Sequence, residues 1–182
     1  MENNRLNNEI FNSKPNDNRL QKELDTYEVL DRLEMSFLGI DHAPAMTMED
    51  LQAVESILDV KVCKNLFLCN TQKTKFYILV MPGDKKFLTK DLSKQINSAR
   101  LSFADGSYME ELLNITPGSL SIFGLMYDKE NMVTLVIDKD VLKEEYFGCH
   151  PCINTSTLKI KTEDILNKFL PFAVHEPVLV EL

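Results

Sequence analysis

The sequence predicts an α+β fold: a single domain built on a mixed, mostly antiparallel, curved sheet flanked by helices. Three observations carry that expectation. Strand-like segments fall next to one another, as over 65–69 and 76–81, rather than alternating regularly with helices. The run over 76–81 is apolar on both faces, as a central strand requires. Helical periodicity is confined to short stretches, clearest in Leu20, Leu24, Tyr27, Leu30 and Leu33.

Each element follows from its residues. Positions 1–18 hold seven asparagines and little to bury, so a polar, flexible tail is expected there, with the domain over 19–182. A helix spans the Leu20–Leu33 periodicity, and 36–40 reads as a short strand. Thr47 and Asp50 form a capping-box start for a helix whose apolar face is Leu51, Val54, Ile57 and Leu58. The polar turn over 70–75 joins 65–69 and 76–81 into a hairpin, which Pro82 and Gly83 end. Further helices are expected over 88–96, 108–113, 141–145 and 162–169. Further strands are expected over 100–104, 120–126, 132–138, 155–161 and 177–181, with a loop over 147–154.

Composition narrows the class. At 44% apolar and 26% charged, the 182 residues match a soluble globular domain. No apolar run nears the roughly 20 residues of a membrane span, and the polar start lacks a secretory core, so a cytoplasmic protein is expected. Four cysteines are too few for a disulfide scaffold of this size. Charge is distributed unevenly. Between Lys61 and Arg100 nine basic residues face two acidic ones, in a chain of formal net charge −8. A local positive field on an acidic body suits a polyanionic ligand.

Walker, GxGxxG, HExxH and GxSxG patterns are absent. Cys149 and Cys152 form a CxxC, but a poor strand precedes it and a loop follows. Thiol redox chemistry needs a helix N-terminus there. Zinc needs two further ligands at suitable spacing, and Cys63 and Cys69 do not supply it. No metal and no cofactor is expected. His42 and His175 read as loop and turn residues. A lysine opening a strand, as Lys64 does, is by itself an ordinary surface residue.

Four segments in order change that reading: KNLFL at 64–68, LSFA at 101–104, PGSLSIFGL at 117–125 and HPCINTST at 150–157, with HEP at 175–177 closing. Together they resemble the YbaK-type and prolyl-tRNA-synthetase-associated editing domains over roughly 20–182. The likeness is strongest to the free-standing branch that removes alanine from proline tRNA. It implies an aminoacyl-tRNA deacylase whose partner is the tRNA(Pro) acceptor end carrying esterified alanine, with prolyl-tRNA synthetase as a further partner. It also implies site residues. Lys64 contacts phosphate or the carbonyl oxygen near the scissile ester, supported by Asn65. Gly118, Ser119, Phe123 and Gly124 wall the pocket, with Phe123 limiting amino-acid size. His150 holds the terminal ribose or the water, while Asn154 and Thr155 orient that loop or the adenosine. Cys149 and Cys152 depart from the small or nonpolar residues usual beside that histidine. Two other readings stand beside this one: a binding module for the aminoacyl-tRNA end that lacks the chemistry, and a thiol protein using Cys149 and Cys152.

Overall fold

A computed structural model describes residues 9–45 and 47–182. The elements run α1 (Gln21–Arg32), β1 (Phe37–Asp41), α2 (Gln52–Leu58), β2 (Cys63–Asn70), β3 (Phe76–Pro82), α3 (Thr89–Gln95), β4 (Leu101–Phe103), α4 (Gly106–Leu113), β5 (Val133–Asp138), β6 (Tyr146–Cys149), β7 (Ser156–Lys161), α5 (Thr162–Asp164), α6 (Leu170–Ala173) and β8 (Val178–Val180). Two sheets form, a five-stranded one ordered β4-β2-β3-β5-β8 and a three-stranded one ordered β1-β7-β6. β3–β5 and β5–β8 are parallel; the other pairs are antiparallel. The α+β class with a mixed, mostly antiparallel sheet is as the sequence predicts. Among the described residues no helix is long and apolar enough to cross a membrane.

Strand alternation sorts β2 between two cores. Phe67 and Cys69 enter the main one, between the sheets, with Tyr27, Leu30, Phe123, Phe147, Leu158 and Phe169. Leu66 and Leu68 enter a second one on the opposite face, closed by Leu92 of α3. A single parallel bridge, Val62↔Gly148, joins the two sheets. A Cβ at Gly148 would lie 2.5 Å from the Lys61 carbonyl oxygen and 2.9 Å from Val62 Cα. The backbone of Lys61 and Val62 cannot yield as a flexible side chain would. Gly148→Ala is therefore expected to lose about 1–3 kcal/mol of stability, read as a lower urea midpoint at unchanged slope.

Four segments differ from the expectations. Positions 120–126 form a 3-10 helix over Ile122–Met126 instead of a strand. Ser121 Oγ accepts from the Phe123 amide at 3.3 Å and starts the turn. The apolar run is buried on every side, a pattern that fits strand and helix equally. The loop expected over 147–154 begins as β6, because Phe147 and Cys149 bury in the main core while the backbone pairs with β7. The helix over 141–145 is a 3-10 turn over Val141–Lys143. The helix beginning at Thr162 continues past 169 to Ala173 through a π-helical stretch, Ile165–Phe169.

Positions 1–8 of the expected tail lie outside the described residues. From residue 9 the chain runs along the domain. Phe11 exchanges backbone hydrogen bonds with Gly39 at 2.9 and 2.7 Å, and its ring meets Tyr27 and Phe37 edge-on. One half-buried aromatic supplies the contact that the asparagines cannot.

Candidate functional site

Three of the four predicted segments, 64–68, 117–125 and 150–157, meet near the head of β2, whereas 101–104 pairs with its far end at Leu68–Asn70. Lys64 and Asn65 are successive strand residues, so they leave the sheet on opposite faces. Asn65 Nδ2 donates to the Leu120 carbonyl at 3.1 Å. Its Oδ1 is buried and has no hydrogen-bond partner among the described residues. Lys64 Nζ donates to the Lys85 carbonyl at 2.9 Å, in the turn after β3. That turn's Gly83 sits beneath the Met48 side chain, where a Cβ would lie 2.4 Å from Met48 Cε.

The segment over 116–121 is held from several sides. Ser119 donates its amide to the Thr116 carbonyl at 3.1 Å, with Pro117 second in the turn and Gly118 third at φ 89°. This is a type II turn, whose third position requires positive φ and so selects glycine. Lys22 of α1 reaches Thr116 Oγ1 at 3.4 Å. Ser121 Oγ donates to the His150 carbonyl at 2.5 Å. The chain from 116 to 121 is thus tied to α1, β2 and the loop after β6.

Two imidazoles stand behind it, their centroids 5.9 Å apart. His150 Nδ1 lies 2.8 Å from the Ser156 carbonyl, which fixes the proton on Nδ1 and leaves Nε2 as the acceptor. Burial pushes His150 down to about 4, so it is neutral at physiological pH. His42 donates from Nδ1 to the Ala43 carbonyl at 2.7 Å and accepts from Thr157 Oγ1 at 2.8 Å. Burial lowers its pKa as well. The His42 and Ala45 amides bond the Thr155 and Asn154 carbonyls at 2.9 and 3.1 Å, pinning the 42–45 segment to the loop after His150.

These groups border a cavity of about 740 Å³, lined among others by Lys22, Glu23, His42, Ser119, Asn154 and Thr155. Arg19 closes one side. Its guanidinium grips both Asp41 oxygens at 2.9 and 2.5 Å, takes Asp17 at 2.6 Å, and contacts buried Glu23. Burial alone would lower the guanidinium's pKa, but the three carboxylates outweigh it and raise it. Burial likewise raises Glu23, although Arg19 opposes this.

Of the residues expected from sequence, Ser119, Asn154 and Thr155 line this cavity. Asn65 and His150 bracket the chain that forms its wall. Gly118 turns at the exposed rim. Phe123 and Gly124 are placed elsewhere. Phe123 is fully buried with its ring 4.7 Å from Phe169, and a Cβ at Gly124 would meet Ile115 Cδ1 at 2.6 Å. Both are core positions, because the 3-10 turn rotates them inward. Lys64 and His150 do not bond each other; their recorded partners lie on different elements. Cys149 and Cys152 are free, buried thiols, with burial raising both and Cys152 reaching about 12. High thiol pKa values disfavour thiolate chemistry at this CxxC. His42, Arg19 and Glu23 were not foreseen. The only signal for His42 is its place beside Asp41 and before Pro44, which reads equally well as a loop.

Comparison with known proteins identifies the family and the fold. The family described as aminoacyl-tRNA editing domain matches residues 42–168. The chain is 31% identical over 136 residues to prolyl-tRNA editing protein ProX of Acetoanaerobium sticklandii, covering 75% of this chain and 83% of that protein. It is 30% identical over 163 residues to prolyl-tRNA synthetase associated domain-containing protein 1 of Danio rerio, covering 88% and 86%. A solved structure titled as a candidate trans-editing enzyme for prolyl tRNA synthetase has the same fold, with TM-score 0.65 at 11% identity over 91% of this chain and 99% of that one. Residues 18–23, which help wall the cavity, precede the matched segment. With the family model matching residues 42–168 and a relative 31% identical over three quarters of the chain, this chain belongs to the aminoacyl-tRNA editing domain family.

Proposed function

We propose that the protein is a trans-editing hydrolase that cleaves alanine from mischarged tRNA(Pro). The observation that carries this reading is the linking of three motifs, Asn65 to the Leu120 carbonyl and Ser121 to the His150 carbonyl, beside a buried acceptor, Asn65 Oδ1, that has no donor among the described residues. An unsatisfied buried carbonyl is costly. Asn65 does not itself line the cavity, so a substrate ammonium or ribose hydroxyl supplies the missing donor once the Ser119–Leu120 wall shifts to admit it. The neighbouring cavity, at about 740 Å³, has room for a terminal nucleoside and a small amino acid.

The chemistry asks little of the protein. An aminoacyl ester is already activated, so positioning, a cation for developing negative charge and a placed water suffice. Lys64, the candidate for that cation, leaves β2 on the face away from Asn65 and does not line the cavity. Its role requires the ammonium to swing from the Lys85 carbonyl past the strand's end to the terminal phosphate or the carbonyl oxygen. His150, neutral with Nε2 as an acceptor, holds a ribose hydroxyl or the water rather than serving as a charged group. Asn154, Thr155 and Ser119 shape the rim. The need for such an enzyme is physical. A synthetase pocket built for proline discriminates a smaller amino acid by only about 1–3 kcal/mol per methylene, and a second site can destroy what leaks through. This work belongs where tRNA is charged, in the cytoplasm, beside prolyl-tRNA synthetase.

A deacylation panel of alanyl-, cysteinyl-, seryl- and prolyl-tRNA(Pro) tests the reading. Alanyl-tRNA(Pro) is expected to be cleaved fastest and prolyl-tRNA(Pro) spared. Equal cleavage of the prolyl ester would defeat it. Binding of a non-hydrolysable alanyl-adenosine analogue with no turnover of any ester would replace it with a binding module.

A further inference from the structure

We propose that the face formed by α3 and β4 is a second RNA-contact surface, which holds the sugar-phosphate backbone of the tRNA away from the cleavage site. It deepens the tRNA reading above and rests on it. A groove of about 460 Å³ runs along α3 and its exit turn, with Lys90, Lys94 and Arg100 as its only charged lining residues. Lys90 and Lys94 are one helical turn apart, so they share a face. Leu92, fully buried in the second core, fixes that face outward. Two like charges at this spacing disfavour the helix unless an anion answers them. Asp91, the acid of α3, does not line the groove.

Of the other cations of the basic stretch, Lys61, Lys75 and Lys86 are exposed and unpaired among the described residues but do not line this groove. The remaining three are engaged. Lys73 pairs with Asp105, and Lys85 pairs with both Asp138 and Asp140. Lys64 is engaged by a carbonyl. Lys90, Lys94 and Arg100 form no ion pair among the described residues, and all three are exposed. Of the local positive surplus legible in the sequence, the part gathered in one groove lies on α3 and at Arg100, just before β4.

An aromatic platform adjoins the groove. Phe103 of β4 is 63% exposed, and it leaves the sheet on the same side as Leu101, which packs in the second core under α3. Its ring meets Phe87, just before α3, edge-on at 6.3 Å. Leu88 beside it is exposed as well. Unpaired cations next to an exposed ring suit a polyanion that carries bases: phosphates on the lysines and arginine, a base stacked on Phe103. A protein partner with an acidic surface would use the charges but has no need of the ring.

The test uses the full chain with Lys90, Lys94 and Arg100 replaced together by Ala, and separately Phe103→Ser. Affinity for uncharged tRNA(Pro) is measured by fluorescence anisotropy from low to moderate salt. Deacylation is measured on full-length alanyl-tRNA(Pro) and on alanyl-adenosine. The triple variant is expected to bind roughly 10- to 100-fold more weakly at low salt, with the slope of log affinity against log salt reduced by about two to three. Phe103→Ser is expected to weaken binding with the slope unchanged. Turnover of alanyl-adenosine should stay at the wild-type rate in both. Unchanged tRNA affinity and slope in the triple variant would overturn the proposal, as would loss of binding to prolyl-tRNA synthetase alone. Wild-type protein that binds tRNA through this face but cleaves no ester would instead refute the deacylase reading and leave this surface standing.

Discussion

Lys64→Ala is expected to lower kcat/KM for alanyl-tRNA(Pro) deacylation by about 100-fold or more, the scale seen when one fixed electrostatic group is removed from developing charge. The fold should survive, because the side chain is half-exposed and its recorded bond is a single one to the Lys85 carbonyl. Such a bond contributes only about 1 kcal/mol. The split between kcat and KM then assigns the contact. A fall in kcat places the ammonium at the carbonyl oxygen in the transition state, while a rise in KM alone places it on the phosphate throughout. Lys64→Arg keeps the charge but changes its shape, and partial rescue is expected for the phosphate contact only. A variant that hydrolyses at the wild-type rate removes Lys64 from the mechanism.

His150 should dominate the acid limb of stability. Its pKa is about 4 in the folded protein against 6.5 for a free imidazole, because burial disfavours the charged ring. Between those values the unfolded chain holds a proton that the folded one does not. Stability is therefore fully present above about 6.5 and declines as pH falls toward 4, by about 3 kcal/mol for this group. His42, lowered by burial as well, acts in the same direction. Urea unfolding from pH 7.5 to 4 measures it. The wild type is expected to lose stability steadily below 6.5, and His150→Gln to flatten most of that slope. An unchanged slope in the variant would mean that the ring is not buried neutral. The same pKa predicts that kcat shows no inflection from His150 between pH 6 and 8.

Much of the fold was legible because local pattern and tertiary role agree. The hairpin of β2 and β3 is an example: the doubly apolar run over 76–81 is buried along its whole length between two cores. Reciprocal hydrogen bonds between Thr47 and Asp50, at 2.9 and 3.3 Å, complete the capping box read from their spacing. The misread segments lack such agreement. Over 120–126 a run apolar but for Ser121 carries no period to read. β6 exists because a partner strand and a bare glycine let two backbones meet, and neither condition is local.

Sequence alone determined the α+β class, the basic stretch and the order of the family motifs, since all of these reside in composition, period and neighbouring residues. Only the tertiary structure decided which of those residues meet. Strand alternation separates Lys64 from Asn65 by a sheet's thickness, a 3-10 turn draws Phe123 into the core, and folding brings His42 beside His150. Direction and proximity depend on long-range packing, which no window of neighbouring residues contains.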